Sequence, residues 1–417
     1  MRVMPLAFGW VATRAWVLLS GFGLIFYPES EFLFSDVRLY DWWAGNIADS
    51  FFPINDPMWQ YPPLAAVVFL AGYLLAGNTV GFVFLATVAD LAIFLLLVRA
   101  GREQENSTPA FIWMLTPLIM GPIILGRFDV FVTLAAVAAL LYVGQARKFG
   151  IAIAIGALLK VWPVLLLLAT PKGSALKVIT WFAGTFAAGS LLLSLWWSES
   201  FSFIGGQRSR GLQIESVGAL PYQLWNAGPG NVSSAFQFGA IEVVASGTSI
   251  VSLLITLVGV ALLGTLFFWR VTGRLNSANP ADIALLAVLI SIVTSRVLSP
   301  QYMVWVFGLL AVSAFTPQQN FKKISILIST GGYMSLPLCL AAKILNIKIF
   351  LLEPNMIIGR ANRFFLNFCE KIICHTNNIS NFPDKFQNKL EVSPPFIRKT
   401  YYEINRQDDV DKIYTII

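Results

Sequence analysis

Apolar runs of about 17–25 residues recur through most of the chain, and each is long enough to cross a hydrocarbon core about 30 Å thick. Lipid offers the backbone no hydrogen-bond partner, so such runs must be helical. The composition agrees, since 57% of the residues are hydrophobic and 12% are charged, against about 45–50% and about 25% in soluble domains. These values exclude a soluble globular enzyme, a disordered chain and a collagen-like chain. They predict an all-α multispanning membrane protein.

We expect about ten transmembrane helices. Their predicted ranges are 4–27, 62–77, 79–99, 108–126, 127–145, 149–170, 175–197, 246–270, 280–297 and 300–316. Basic pairs such as Arg147 with Lys148 flank the spans and mark their cytoplasmic ends. The two long polar and aromatic loops, 28–61 and 198–240, are then expected to face outward. Because the net charge of +7 is explained by basic residues that flank spans, no nucleic-acid partner is predicted.

The composition changes abruptly near residue 318, so we divide the chain into segments 1–318 and 319–417. All 13 Trp precede this break, and all 3 Cys and the single His follow it. The second segment reads as a partial α/β Rossmann-like unit. Its predicted strands are 323–329, 347–352 and 371–376, and its predicted helices are 335–345 and 357–368. The cysteines are expected to be free thiols, and their spacing predicts no metal site.

Several charged residues lie within the predicted spans, where each costs about 2.5–3.5 kcal/mol or more and usually marks function. They are Arg14, Asp90, Arg127, Asp129, Lys160 and Arg296. With the long loops outside, Arg127, Lys160 and Arg296 come near the outer half of the bilayer. Together these cations would suit an anionic lipid head group such as a phosphate diester. The alternative is a helix-end ion pair at Arg127 and Asp129 and a snorkelling Arg296.

The stretch 149–170 has a charged residue, Lys160, in its middle and basic residues at both ends. A re-entrant pair of half-helices, with Lys160 at the outer tip, would account for this pattern.

The two outward loops combine acidic, basic and aromatic residues. The first carries Asp36, Tyr40, Asp56 and Tyr61, the last of these before a Pro-Pro pair. Carboxylates beside aromatic rings can hold a sugar and deprotonate its hydroxyl. The alternative is an ordinary interfacial aromatic belt with solvated acids, which explains the Trp residues better than the acids. The second loop contains the polar segment 208–216, which either binds a ligand or begins an interfacial helix.

These segments, taken in order, resemble the membrane proteins of glycosyltransferase family 87 in actinobacteria. The matching motifs are Asp36-x-x-x-Tyr40, Trp59-Gln60-Tyr61-Pro62-Pro63, Arg127-Phe128-Asp129, Lys160-Val161-Trp162-Pro163, Arg210-Gly211-Leu212-Gln213-x-Glu215-Ser216 and Ser299-Pro300-Gln301-Tyr302. The family comprises GT-C fold enzymes related to polyprenyl-phosphate-mannose-dependent mannosyltransferases. The resemblance covers residues 1–318.

The resemblance implies a reaction and a place for it. A polyprenyl-phosphate sugar, with mannose expected, would donate its hexose with inversion to a lipid or glycan acceptor. The enzyme would be a multi-pass protein of the bacterial plasma membrane, with its site on the outer, periplasmic face and its tail cytoplasmic. No cofactor or metal is expected.

The resemblance also implies site roles. Asp36 is the expected general base, with Asp56 as its rival, and Arg127, Lys160 and Arg296 would bind the donor phosphate. The expected sugar-binding or acceptor-binding residues are Tyr40, Asp56, Tyr61, Asp129, Arg210, Gln213, Glu215 and Gln301. Some relatives place a His near the Ser-Pro of the last motif, where this sequence has Gln301-Tyr302, so proton transfer by that His is not expected here.

Residues 324–402 resemble part of the N-terminal domain of the MurG family of peptidoglycan N-acetylglucosaminyltransferases, which have the GT-B fold. The matching residues include Gly331-Gly332, Glu353-Pro354-Asn355 and Pro394-Pro395-x-x-Arg398. The family's first Gly-rich loop and its nucleotide-sugar domain find no counterpart, so we expect no transfer from UDP-N-acetylglucosamine. The join predicts a fusion of two glycosyltransferase segments.

Two alternatives to a transferase stay open. A lipid or sugar transporter or flippase would also carry polar residues within its spans, although it should show an internal repeat. An inactive fusion of two enzyme fragments is the other. Folding and turnover by the first 318 residues alone would distinguish a transferase from the inactive fusion.

Overall fold

The structure is a computed structural model in which the chain divides into two compact units, Met1–Pro317 and Gln318–Ile417. The residues that it describes are 3–27, 30–54, 56, 58–198, 200–202, 210–225, 233–237, 239–315, 326–329, 339, 342–343, 347–353, 357–374 and 376–393.

The N-terminal unit is built almost entirely of helices. In chain order they are α1 Val3–Gly21, α2 Ser30–Leu33, α3 Ser35–Ala48, α4 Leu64–Ala76, α5 Thr79–Glu103, α6 Thr108–Met120, α7 Asp129–Leu141, α8 Ala146–Leu159, α9 Ala175–Trp196, α10 Leu220–Trp225, α11 Thr248–Val271, α12 Pro280–Val293 and α13 Tyr302–Ser313. Short 3-10 helices cover Ile124–Gly126, Trp162–Ala169 and Val217–Ala219. An antiparallel hairpin pairs β1 Ser233–Gln237 with β2 Ala240–Val244.

Within the described residues, four helices are long and apolar enough to cross a membrane, namely α1, α5, α9 and α11. The apolar helices α4, α6, α7, α12 and α13 are shorter, at 10–17 residues. The structure therefore has a helix in each predicted span, but the expected count of about ten crossings stays a prediction.

Small residues allow some of these helices to approach closely. Gly81 on α5 faces the backbone of Gly72 on α4, and Gly150 on α8 faces the carbonyl of Val178 on α9. A side chain at either glycine would collide with backbone atoms. Such contacts are the usual way in which apolar helices associate where no hydrophobic effect drives them together.

The first long loop contains an element that the sequence analysis did not predict. Helix α3 fills residues 35–48, and its apolar positions Val37, Tyr40, Ala44 and Ile47 are all buried. Their spacing of three or four residues is that of one helical face. The sequence analysis missed this pattern because the loop has many aromatic residues, and we attributed their rings to a membrane interface.

A buried ion pair joins α1, α5 and α6. The Arg14 guanidinium makes a bidentate contact with Asp90, at 2.9 Å from Nε to Oδ2 and 2.8 Å from Nη2 to Oδ1. Its remaining N–H groups reach Thr13 Oγ1 and the carbonyl oxygens of Trp113 and Met114. All five guanidinium donors are thus used. These two buried charges serve packing between helices.

The stretch predicted as a re-entrant pair is broken at its centre. Helix α8 ends at Leu159, Lys160 is extended with φ −158° and ψ 140°, and a 3-10 helix starts at Trp162. Pro163 lies in the first turn of that helix, where its missing N–H costs nothing. Lys160 is therefore presented at a gap between two helices.

The C-terminal unit contains a parallel sheet in the order β3 Ile326–Ser329, β4 Lys348–Glu353, β5 Lys371–Cys374 and β6 Leu390–Val392. The first three strands overlap the predicted ones, whereas the fourth was not predicted. Helix α14 covers Arg360–Phe365, inside the predicted 357–368. The predicted helix 335–345, the Gly331-Gly332 turn and His375 lie largely or wholly outside the described residues.

The three cysteines are free and buried, as expected. Cys339, Cys369 and Cys374 belong to the apolar core of the C-terminal unit. Glu353 is also buried there, and its Oε2 accepts hydrogen bonds from Gly359 N at 2.8 Å and Asn362 Nδ2 at 3.0 Å. In this chain Glu353 fastens the start of α14 to the end of β4.

The Arg14–Asp90 pair makes a testable prediction for stability. Asp90→Leu leaves a buried guanidinium without its counter-charge, which should cost about 3–5 kcal/mol and lower the thermal unfolding midpoint in detergent. The double variant Arg14→Leu/Asp90→Leu leaves no buried charge and should regain part of that loss. Glu103→Gln is the control, because its pair with Arg99 is exposed. A double variant no more stable than Asp90→Leu would contradict this role.

Candidate active site

Two ion pairs meet in the N-terminal unit. Arg127 Nη1 lies 3.1 Å from Asp36 Oδ2, and Lys160 Nζ lies 2.7 Å from Asp129 Oδ1. The pairs are neighbours, since the charges of Arg127, Asp129 and Lys160 all act on the Asp36 carboxyl. We call these four residues the charge cluster. It brings together the expected base, two of the expected phosphate ligands and one expected sugar-binding residue.

All four residues lie at helix ends or breaks. Asp36 is in the first turn of α3, and Asp129 is the first residue of α7. Arg127 is extended between a 3-10 helix and α7, and Lys160 is extended beyond α8. Carboxylates at helix N-termini are stabilised by the helix dipole. The fold thus places the four charged groups of the cluster at the starts or ends of helical segments.

Aromatic rings enclose the Lys160 ammonium. Its Nζ lies 5.9 Å from the ring centroid of Tyr61, 5.6 Å from that of Tyr302 and 4.8 Å from that of Trp305. The Trp305 indole also donates a 2.6 Å hydrogen bond to Asp129 Oδ1. Cation–π contacts and a shared carboxylate oxygen therefore fix the position of Lys160.

The cluster is buried to different degrees along its length. The Asp129 side chain is 0% exposed, those of Arg127 and Lys160 are 13% and 21% exposed, and that of Asp36 is 37% exposed. Asp36 is therefore the carboxylate that a molecule from outside meets first. Asp129 acts from beneath, through Lys160.

Two polar atoms of the cluster are buried and have no hydrogen-bond partner among the described residues. They are Arg127 Nε and Asp129 Oδ2. Such an atom costs about 1–3 kcal/mol, and in native proteins it usually meets a ligand, an ion or a water molecule. One unused donor and one unused acceptor mark the cluster as a place for a polar ligand.

Burial shapes the proton affinities around the cluster. It raises the pKa of Asp36 above its ordinary value, an effect that the Arg127 guanidinium opposes and the Asp129 carboxylate reinforces. Burial likewise raises the pKa of Tyr40 and of Tyr61. The two tyrosine hydroxyls are 3.2 Å apart and hydrogen-bonded. They stay neutral, while Asp36 is the group poised to exchange a proton.

Two further arginines lie at the same site. The Arg210 guanidinium is within electrostatic reach of Tyr61, Tyr302, Arg296 and Glu242, and burial lowers its pKa. Arg210 and Arg296 repel each other, and a bound anion would relieve that repulsion. Both side chains are half-buried. Arg296, which we expected to bind phosphate, thus lies near Arg210, which we expected to bind sugar or acceptor.

Gln213 has a connecting position. Its backbone N–H donates to Arg296 O at 2.9 Å, and its side-chain Oε1 accepts from Leu298 N at 3.0 Å. It therefore fastens the 210–216 segment to the segment that carries Arg296.

Three other expected site residues, Asp56, Glu215 and Gln301, lie outside the charge cluster. Asp56 accepts hydrogen bonds from Trp43 Nε1 at 2.7 Å and from Met58 N at 2.8 Å, so it braces the first loop against α3. Glu215 is exposed, and Gln301 is half-buried just before α13. The braced Asp56 is less free than Asp36 to act as a base.

The sequence model of glycosyltransferase family 87 matches residues 59–317, which is more than half of the chain. The chain belongs to glycosyltransferase family 87. It is therefore a glycosyltransferase-family membrane protein, as the sequence analysis expected. No solved structure matches it.

The C-terminal part of this family 87 chain matches a second model, the glycosyltransferase family 28 N-terminal domain, over residues 290–374. Its relatives are named UDP-N-acetylglucosamine–N-acetylmuramyl-(pentapeptide) pyrophosphoryl-undecaprenol N-acetylglucosamine transferases. The protein of Pelagibacter ubique (strain HTCC1062) is 58% identical over 95 residues, which cover 23% of this chain and 26% of the relative. That of Rickettsia canadensis (strain McKiel) is 32% identical over 96 residues, covering 22% and 27%. The chain spans about a quarter of the length of these curated relatives. The resemblance of the tail to the MurG family is confirmed.

Two residues of the candidate site escaped the sequence analysis. Trp305 was taken as part of an apolar span, although its indole N–H needs a partner when buried. Glu242 lies on β2 and is buried, and the charge of its carboxylate acts on the Arg210 guanidinium. An acid inside an otherwise apolar strand was the signal for Glu242. No sequence signal linked Trp305 to Asp129, because that contact joins distant parts of the chain.

The Asp36–Arg127 pair predicts a shift in proton affinity. Arg127→Gln removes the charge that opposes the effect of burial, so the pKa of Asp36 should rise further and its proton should be lost at higher pH. Infrared titration of the carboxyl stretch, assigned with Asp36→Asn, measures this. Arg38→Gln is the control, since Arg38 is exposed on the same helix. An unchanged or lower pKa in Arg127→Gln would refute the coupling.

Proposed function

We propose that the N-terminal unit transfers a hexose, mannose being the first candidate, from a polyprenyl-phosphate donor to a hydroxyl of a lipid or glycan acceptor. The reaction proceeds with inversion on the outer face of the bacterial plasma membrane, in a multi-pass GT-C-like protein whose tail is cytoplasmic. The observation that carries this proposal is the charge cluster, in which an accessible carboxylate lies beside half-buried cations.

The accessible carboxylate supplies the general base. Asp36 takes the proton of the acceptor hydroxyl while the hydroxyl oxygen attacks the anomeric carbon of the donor. The bond from that carbon to the phosphate oxygen breaks, and a polyprenyl phosphate monoester leaves. A single displacement inverts the anomeric centre. The raised pKa of Asp36 favours this role, because a carboxylate with greater proton affinity is a stronger base.

The cations stabilise the leaving group. The phosphate gains negative charge as the glycosidic bond breaks, and preformed positive groups lower the energy of that transition state. Arg127, Lys160 and Arg296 supply this charge, and Arg210 adjoins them. The unused Nε of Arg127 gives the phosphate a donor that no described residue occupies.

The aromatic residues shape the sugar site. Tyr61, Tyr302 and Trp305 surround the ammonium of Lys160 and provide flat apolar faces beside it. Such faces can receive the C–H side of a pyranose while the hydroxyls turn to polar groups. They also limit water near the anomeric carbon, which protects the donor from hydrolysis. Tyr40, Asp129, Gln213, Glu215 and Gln301 complete the proposed sugar-binding and acceptor-binding set.

The C-terminal unit does not take part in this reaction. Its match covers about a quarter of relatives named for N-acetylglucosamine transfer. Its Glu353 carboxylate, which falls in the motif shared with those relatives, is buried and bonded to Gly359 and Asn362. We therefore extend no activity of the relatives to this chain.

The base assignment predicts the behaviour of Asp36→Asn. Transfer from radiolabelled polyprenyl-phosphate mannose to a lipid acceptor extract should fall about 10²–10⁴-fold, because the acceptor proton has no carboxylate to receive it. Donor binding should persist, since the cations remain. Asp49→Asn is the matched control at the exposed end of α3. Transfer by Asp36→Asn at the wild-type rate would show that another group is the base, and donor binding without any transfer by wild type would favour a transporter.

The phosphate assignment is tested by removing Lys160 together with its counter-charge. Lys160→Met/Asp129→Asn avoids an unpaired buried carboxylate, so the fold should survive. Loss of one charge-assisted contact of about 1.5–3 kcal/mol should weaken donor binding about tenfold or more. Lys148→Met on exposed α8 surface is the control. Equal weakening of donor and acceptor binding would contradict a phosphate-specific role.

A further inference from the structure

A cavity that is open to solvent lies at the C-terminal end of α3. Its volume is about 540 Å³, which is within the range of small-molecule sites. Its lining residues are Trp42, Asn46, Phe51, Phe52, Pro53, Ile54 and Asp56. Nothing in the proposed chemistry at the charge cluster uses this cavity.

An unusual turn at the end of α3 forms one wall. Ser50 has φ +70°, a left-handed conformation that favours glycine. Ser50 N donates to Ile47 O at 3.0 Å, and Phe51 N donates to Asn46 O at 2.7 Å. This is the Schellman pattern, which normally closes with an apolar contact across the last turn. Here Asn46 occupies that position and Phe51 is 72% exposed, so the turn leaves an open cleft.

The cavity has polar groups available for a ligand. The Asn46 side chain has no hydrogen bond to a described residue. Asp56 uses one lone pair on each carboxylate oxygen, for Trp43 Nε1 and Met58 N. A carboxylate has about four acceptor positions, so two remain. An amide and a fixed carboxylate that line the same cavity suit the hydroxyl groups of a sugar.

The aromatic walls are partly free and partly fixed. The Trp42 side chain is 56% exposed and offers a flat face at the rim. Phe52 also lines the cavity and is held in place, with its ring centroid 5.1 Å from that of Trp59 and 5.7 Å from that of Trp197. A fixed aromatic ring and an accessible indole suit the apolar faces of a pyranose ring.

We propose that this cavity binds a sugar residue of the acceptor, away from the hydroxyl that reacts. The inference rests on the proposed transfer reaction and narrows its acceptor to a glycan or glycolipid of more than one hexose. Asn46 lies ten residues after Asp36 on α3, which is about 15 Å along the helix axis. That distance exceeds one hexose ring. A single-sugar acceptor therefore reaches Asp36 without filling the cavity, and a longer one reaches both.

The first experiment compares two synthetic lipid-linked acceptors, one with a single mannose and one with three. Wild type should show a higher kcat/KM for the longer acceptor. Trp42→Ala and Asn46→Ala should each lower that value about tenfold while leaving the single-mannose acceptor unchanged. The control is Trp269→Ala, because Trp269 is also partly exposed but lies on a different helix, α11. Thermal unfolding midpoints verify that the variants fold.

Equal losses of kcat/KM on both acceptors would overturn the inference, because Trp42 and Asn46 would then support the helix or the base rather than bind a distant sugar. A wild type that transfers without any preference for length would overturn it too, while leaving the proposed function intact.

The second experiment does not depend on turnover. Saturation-transfer NMR with free mannotriose should show contact with the wild-type protein and lose it in Trp42→Ala. This result would hold even if the transfer reaction were different. Saturation transfer from the protein to a short-chain lipid that depends on Trp42, without any to mannotriose, would show a lipid site and overturn the inference.

Discussion

Asp129 is the group on which the polar interior of the N-terminal unit depends. Its carboxylate is fully buried, and Oδ1 alone accepts from Lys160 and Trp305. These contacts tie the start of α7 to the break after α8 and to α13. A buried carboxylate is tolerated only where it is paired and hydrogen-bonded. The need to satisfy this one charge thus holds three segments together and fixes the ammonium that faces the site.

The same rule explains the contrast between the Arg14–Asp90 pair and the charge cluster. Arg14 uses every guanidinium donor, on Asp90, on Thr13 and on the carbonyl oxygens of Trp113 and Met114, and it leaves no donor for a ligand. In the charge cluster, Arg127 Nε and Asp129 Oδ2 find no partner among the described residues. Both sets looked alike in the sequence, as charges inside apolar runs. The completeness of hydrogen bonding separates a structural pair from a candidate site.

Much of the fold followed from the sequence, because long apolar runs in lipid permit little except helices. The break at Lys160 and the parallel order of β3, β4 and β5 were also readable, since polar interruption and alternating strand and helix patterns are local signals. Helix α3 was not predicted, because its apolar face is aromatic and resembles an interface. The hairpin of β1 and β2 was not predicted either, since its residues lack strong alternation.

The candidate site was predicted in part. Motif order suggested Asp36, Arg127, Asp129 and Lys160 as a set, and the structure brings them together. The sequence did not show which acid pairs with which base, because each of the two ion pairs joins residues far apart in the chain. Asp56 was suggested by its position before a Tyr-Pro-Pro segment, and its hydrogen bonds to Trp43 and Met58 show that it also braces the first loop.

The most direct test of the charge cluster as a donor site is a cryo-EM structure in lipid nanodiscs with a polyprenyl-phosphonate mannose, in which carbon replaces the bridging oxygen. We predict phosphonate density within hydrogen-bonding distance of Lys160 and Arg127, with the anomeric carbon facing Asp36. Density for the phosphonate at any other part of the protein, with Arg127 still paired to Asp36 and no ligand beside Lys160, would contradict it.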